Sequence, residues 1–264
     1  GGARVRREAG IACQRSEASV AAIRCAEPWA HRLRSGRPWV VAKWAQTMDG
    51  RVATRTGESQ WISGSASRQR VHRLRARVDA VITGTGTLVR DDPMLTARDV
   101  HVRRLARRVL VDTLMDVPMD AALVRTAGAI QTTVACAKDL AVAPMSLEKR
   151  EALEHAGVEV MGVPARLNGR LDLRMLLEAL TREHGVSTAL LEAGPGLVGA
   201  FLADDLVDEC VVYVAPLLLG DEHAVGVAGG RVAERLAEGR GFELVRMKRS
   251  GADAELTYRR VREA

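Results

Sequence analysis

The chain has 264 residues, enough for one large domain or two small ones around a substantial core. Aromatic residues are only 3% of the total, so that core must be built from Ala, Val and Leu. The formal charge of +6 comes almost entirely from arginine with acids interspersed, a pattern that argues against a nucleic-acid partner and leaves small phosphorylated ligands open.

The cysteines, Cys13, Cys25, Cys136 and Cys210, show neither CxxC spacing nor zinc-ligand spacing to a histidine, and Cys136 and Cys210 lie in apolar runs that suit a core. No apolar run approaches the ~20 residues that span a bilayer. No membrane is expected, and the cytoplasm is the expected compartment.

Residues 1–36 are basic and Ala-rich, and Gly36, Arg37 and Pro38 separate them from the apolar run that begins at Trp39. They read as a leader or linker. A helix there could be capped by Ser16 and run to about Leu33, with its continuity limited by Pro28. The unbroken apolar run over 39–45 reads as a strand buried on both faces. Lys43 is set within it, and a lysine is costly to bury unpaired. It either ends the strand with its head in water or points into a ligand cleft.

Ser63 suits the N-cap of a helix to about Arg77, with Arg68, His72 and Arg75 on one face and Val71, Leu74 and Val78 on the other. His72 taken alone reads as a surface histidine. A strand over 78–84 runs into Gly84, Thr85, Gly86 and Thr87, glycines that let backbone approach a phosphate. The short helix after it ends at Asp91, Asp92 and Pro93.

Strands over 107–112, 129–135, 158–163 and 187–192 alternate with helices over 147–156 and 172–184, the latter capped by Asp172. The alternation describes βα units and a mostly parallel sheet. Glu192 ends one strand, and Gly194, Pro195 and Gly196 open a helix to about Ala203, a second strand–glycine–helix element. Ligands of open α/β sheets sit at the carboxyl ends of strands, which puts Glu192 in the cleft. After a strand over 208–215, alternating stretches over 242–248 and 254–261 read as an antiparallel hairpin.

The segments KWAQTMDGR (43–51), GESQWI (57–62), RARVDA (75–80), GTGT (84–87), DDP (91–93), LTAR (95–98), LEAGP (191–195), LVDE (206–209) and APLLLG (215–220) occur in order. Together they resemble the reductase domain of the bacterial bifunctional riboflavin-biosynthesis deaminase-reductases, over about 37–261. The resemblance implies an α/β, dihydrofolate-reductase-like three-layer α-β-α fold. Its central sheet would be mostly parallel, with a C-terminal antiparallel hairpin, in a reductase domain over 37–264. Residues 1–4 and 8–11 resemble the tail of that family's deaminase domain. No HxE with a later PCxxC is present to bind the zinc that deamination needs. Reduction without deamination and without a metal is therefore expected, with a deaminase either truncated or supplied separately.

The resemblance further implies reduction of 5-amino-6-(5-phosphoribosylamino)uracil by NADPH, with a hydride reaching C1′ after the sugar ring opens, in a homodimer. By the same resemblance Ala45, Trp61, Thr87, Asp91 and the turn of Gly194, Pro195, Gly196 and Leu197 would contact NADPH, and Gly86 joins them on the glycine argument. Ser59, Arg75, Leu95, Arg98 and Glu192 would contact the phosphorylated pyrimidine. Arg75 and Arg98 could grip its phosphate bidentately, and Glu192 could accept from pyrimidine N–H groups. Trp61 offers a flat surface to the nicotinamide. Lys43 and Asp49 are the candidates for assisting ring opening or polarising C1′. Two other readings stay open: reduction of a related heterocycle, either the pyrimidine still bearing its 2-amino group or a pterin, and a non-catalytic partner of a separate deaminase. Residues 113–185 suggest no chemistry, and no residue stands out as the reader of the cofactor's 2′-phosphate.

Overall fold

The structure, a computed structural model, describes residues 2–13 and 19–262. The chain runs α1 (Gly2–Glu8), α2 (Val20–Ser35), β1 (Trp39–Gln46), β2 (Arg51–Ala53), α3 (Ser65–Arg75), β3 (Ala80–Gly84), α4 (Thr85–Asp91) and β4 (Arg107–Val111). It continues with α5 (Ala122–Arg125), β5 (Thr132–Ala137), α6 (Lys138–Val142), α7 (Leu147–His155), β6 (Val158–Val163), α8 (Leu173–His184) and β7 (Thr188–Leu191). It closes with α9 (Pro195–Ala203), β8 (Glu209–Val214), β9 (Val225–Gly226), β10 (Phe242–Ser250) and β11 (Asp253–Arg260).

One sheet organises these elements, in the order β10-β11-β8-β1-β7-β3-β4-β5-β6. From β8 to β6 all pairings are parallel, and β11 adds to β8 antiparallel and carries β10 as a hairpin. This is the expected α/β architecture. Alternate strand residues face opposite layers. Val40, Ala42 and Ile82 pack with Leu176, Leu177 and Phe201 of α8 and α9, whereas Val81, Leu110 and Leu190 pack with Leu123, Val124 and Leu153 of α5 and α7. Cys136 and Cys210 are buried, one on each side. Burying each large aliphatic side chain contributes roughly 1.5–3 kcal/mol, so these two layers fix the sheet between its helices. No helix among the described residues is long and apolar enough to cross a membrane.

Several local expectations shift for physical reasons. Ser16 lies outside the described residues. The cap of α2 is Ser19, whose Oγ accepts from the Ala22 N–H, and the helix continues through Pro28 to Gly36 in the left-handed region. Tertiary contacts outweigh the roughly 3 kcal/mol that an interior proline costs. The His31 ring meets Trp39 edge-on at 5.5 Å, Arg32 donates to Ser187 Oγ at 2.8 Å, and Glu27 pairs with Arg259. Helix α3 begins at Ser65 after Gly64, not after Ser63, because its cap comes from elsewhere. Asp253 of the hairpin accepts from the Gly64 N–H at 2.8 Å and from Ser67 Oγ at 2.5 Å. The strand expected from 129 begins at Thr132, since the Ala129 and Ile130 N–H groups close a turn on Thr126 O.

Asp208, fully buried, joins three parts of the chain. It accepts two hydrogen bonds from Arg37 at 2.7 and 2.8 Å, one from the Val40 N–H at 2.8 Å and one from Arg262 at 2.6 Å.

Candidate active site

The carboxyl ends of β1, β7, β3 and β4 open into a cavity of about 990 Å³, roofed on one side by α3 and α4 and on the other by α9. Every residue expected in the site lines it except Asp49.

Its polar centre is Glu192, just past β7 and 10% exposed. Arg75 of α3 donates from Nε to Oε1 at 2.6 Å and from Nη2 to Oε2 at 3.0 Å. Lys43 Nζ lies 3.8 Å from Oε2. Burial works against the Glu192 charge, but Arg75 and then Lys43 outweigh it and hold the carboxyl below its ordinary value. Burial is also the largest influence on Lys43. Glu192 partly offsets it, and the ammonium ends below the usual lysine value, which makes it a readier proton donor. Lys43 therefore points into the cleft. Arg75, expected to grip a phosphate, also has its third nitrogen on Thr96 O at 3.0 Å, so each of its guanidinium nitrogens has a protein partner in this structure. Arg98 pairs with no carboxylate among the described residues.

His72 is not a bystander on the surface. It lines the cavity with Nδ1 3.2 Å from Thr96 O and 3.3 Å from the Arg98 nitrogen. Burial, then Arg75, lowers its pKa. Its position one turn after Arg68 and three residues before Arg75, on the same face of α3, was the sequence signal for this.

The two glycine turns meet where the Gly194 N–H donates to Thr87 Oγ1 at 2.9 Å. No side chain caps α9, and Pro195 occupies its first turn without an N–H of its own. A Cβ built on Gly86 or Gly196 would meet nothing within 4 Å, so the backbone there faces open space that a ligand can enter. Gly199 is a glycine for a different reason: a Cβ there would collide with the Gly229 carbonyl. Trp61 is 70% exposed at the cavity mouth, with the Arg68 guanidinium 4.5 Å from its ring centroid.

Asp49, expected beside Lys43, does not line the cavity. Its Oδ1 accepts from Thr47 Oγ1 at 2.6 Å and from the Leu219 N–H at 3.3 Å, and its Oδ2 accepts from the Gly220 N–H at 2.9 Å. Those bonds, from Thr47 first and then Gly220, bring its pKa to about 2. The carboxylate clamps the 47–50 turn to the 217–220 segment, and its oxygens are taken up by those bonds rather than facing Lys43 and Glu192. Conversely, Arg166, Asn168 and Arg170, from the middle of the chain, form the cavity's far wall. Glu159, Glu183 and His184 have a spacing that could hold a metal, but they lie away from the cavity, and Arg107 Nη1 sits 2.6 Å from Glu159 Oε2.

The family model for the RibD C-terminal domain matches residues 38–255. The riboflavin biosynthesis protein RibD of Actinobacillus pleuropneumoniae is 33% identical over 228 residues, which are 86% of this chain and 58% of that protein. The chain thus spans about three-fifths of the length of that curated relative. The solved structure of Acinetobacter baumannii RibD, form 1, is 29% identical with a TM-score of 0.82, over 99% of this chain and 68% of that one. The Saccharomyces riboflavin biosynthesis reductase Rib7 shares the fold at 17% identity, with a TM-score of 0.64 over 90% of this chain and 99% of its own. With the family model covering most of its length and its motifs gathered in one cavity, the chain belongs to the RibD C-terminal domain family.

Proposed function

We propose that this chain reduces 5-amino-6-(5-phosphoribosylamino)uracil to its ribitylamino counterpart in riboflavin biosynthesis, with NADPH as reductant. The observation that carries the reading is the placement of Lys43, Glu192 and Arg75 in the same cavity as the open turns at Gly86 and Gly196. The names of the relatives support the pathway, and the Thermotoga maritima protein of the same fold is described as a deaminase and 5-amino-6-(5-phosphoribosylamino)uracil reductase.

The residues present fit a nicotinamide dinucleotide. The uncapped N-terminus of α9 suits a pyrophosphate. Ala45 and Trp61 offer apolar surface to the nicotinamide, and Thr87 and Asp91 can bond its ribose. The bound nicotinamide supplies a hydride. The chain's own residues prepare the carbon that receives it. Lys43 Nζ gives a proton to the ribose ring oxygen as the C1′–O4′ bond breaks, and the electron pair of the 6-amino nitrogen forms a C1′=N bond. The resulting iminium carbon accepts the hydride, leaving a C1′ methylene and a hydroxyl on C4′. Glu192 orients Lys43 and accepts from the pyrimidine, and Arg98 and Ser59 meet the phosphate.

The test is NADPH oxidation with two substrates, the phosphoribosylamino-uracil and its 2-amino precursor. Turnover of the uracil is expected. Turnover of the 2-amino pyrimidine alone would replace this reading with the related-heterocycle one, and oxidation with neither would leave a non-catalytic partner.

A further inference from the structure

The far wall of the cavity has no role in the proposed reaction. It is the connection between β6 and α8, and its shape is fixed. The Arg166 N–H donates to Arg170 O at 2.8 Å, the Gly169 N–H to Arg166 O at 2.9 Å, and the Arg170 N–H to Asn168 Oδ1 at 3.1 Å. Gly169 takes the left-handed conformation at φ 76°, and Ala165 and Leu171 form an antiparallel bridge at the base. Arg166 and Arg170 therefore stand opposite each other across a tight turn, where side chains of a facing pair leave on the same side.

The two arginines differ in what holds them. Arg166 is anchored, with Nη1 2.7 Å from Asp204 Oδ1 and Nη2 3.4 Å from Asp172 Oδ1. Arg170 is exposed and pairs with no carboxylate among the described residues. The acids of this corner are thus already matched by Arg166, and the charge left over is the Arg170 guanidinium. Between it and the N-terminus of α9, the helix presents Gly196, Ala200 and Ala203 to the cavity. That small-residue face is about 10 Å long at 1.5 Å per residue, the scale of a nucleoside.

We infer that the adenosine half of the dinucleotide lies along this face of α9 and that Arg170, with Arg166 beside it, reads the 2′-phosphate. The assignment rests on the nicotinamide reading and adds to it the residues that separate NADPH from NADH. A guanidinium meets a phosphate through paired, charge-assisted hydrogen bonds. Sites that select the unphosphorylated cofactor instead present a carboxylate to the 2′-hydroxyl, and here Asp204 is engaged by Arg166.

The test is direct binding, read by quenching of Trp44 and Trp61, which both line the cavity. NADPH and NADH are titrated into the wild-type chain, Arg170→Ala and Arg170→Glu, with 2′,5′-ADP and 5′-AMP as competitors. The wild type should prefer NADPH and yield to 2′,5′-ADP more readily than to 5′-AMP. Arg170→Ala should weaken NADPH and 2′,5′-ADP at least about tenfold and leave NADH unchanged, and Arg170→Glu should weaken NADPH further. Since Arg170 is exposed, an unchanged urea midpoint verifies the fold of both variants. A preference for NADPH that survives in Arg170→Ala overturns the assignment, as does a wild type that binds both cofactors equally; in either case the reductase reading stands. A wild type that binds neither dinucleotide overturns both.

Discussion

Lys43 and Asp49 entered as twin candidates, and their surroundings separate them. Lys43 faces Glu192 in the cavity with its pKa lowered by burial, so it can release a proton. Lys43→Ala should lower kcat by roughly 10²–10⁴-fold, the range of a general acid, with NADPH affinity retained; steady-state rates beside a binding titration check both. The acid must be protonated, so kcat should fall on the alkaline side, at a pH below that of an ordinary lysine. Asp49→Asn should leave kcat intact and lower the urea midpoint, because its bonds tie one turn to a segment about 170 residues later. A large loss of kcat at an unchanged midpoint would instead assign it a catalytic role. At this scale the sequence shows which residues are chemically costly to place. A lysine inside a strand or a glutamate at its end is conspicuous, because burial demands partners. It does not show whether the partners exist. Thr47, Leu219 and Gly220 engage Asp49, and Thr96 and Arg98 hold His72, through contacts that only the fold creates.

Among the elements, α2 shows how a segment that reads as linker becomes a fixed part of the molecule. Its His31 lies 3.8 Å from Asp208, but Arg37 and Arg262 already satisfy that carboxylate. Burial, against the pull of Asp208 and aided by Arg37 and Arg262, brings the His31 pKa to about 4 from 6.5. The unfolded chain therefore takes up this proton first. Stability should be full above about pH 6.5, fall as pH drops toward 4, and lose on the order of 2–3 kcal/mol there. Urea titrations at pH 5 and 7 measure the slope. His31→Phe, which keeps a ring against Trp39, should flatten it, and an unchanged slope would assign the loss to other groups. The βα alternation was legible because repeated apolar runs and helical spacing survive in one dimension. The caps of α2 and α3 and the small β2–β9 pair were not. Gly64 and Ser67 are capped by a residue of the hairpin, and Arg51–Ala53 finds its strand partner only at Val225–Gly226.

Across the whole molecule, strand tips from distant parts of the chain converge on one cavity, with glycine turns at one side and the Lys43–Glu192–Arg75 cluster at another. Its two ends were unequally legible. Motif segments reveal the centre, whereas at 166–171 Asn168 and Gly169 mark a turn but nothing local shows that it packs against α9 to become the cavity's wall. Gly196→Val probes the arrangement. Its Cβ enters open space, so the fold should persist while the side chain occupies the path of a ligand. Dinucleotide affinity should drop at a nearly unchanged melting temperature, and retained affinity would place the ligand elsewhere. The claim on which the rest depends is that a nicotinamide and C1′ of the sugar share this cavity. It is tested most directly by running the reaction with NADPH deuterated at the transferable C4 position and locating the label in the product by NMR. One deuterium at C1′ of the ribityl chain is the expected result; product without deuterium at C1′, or no product, would contradict it.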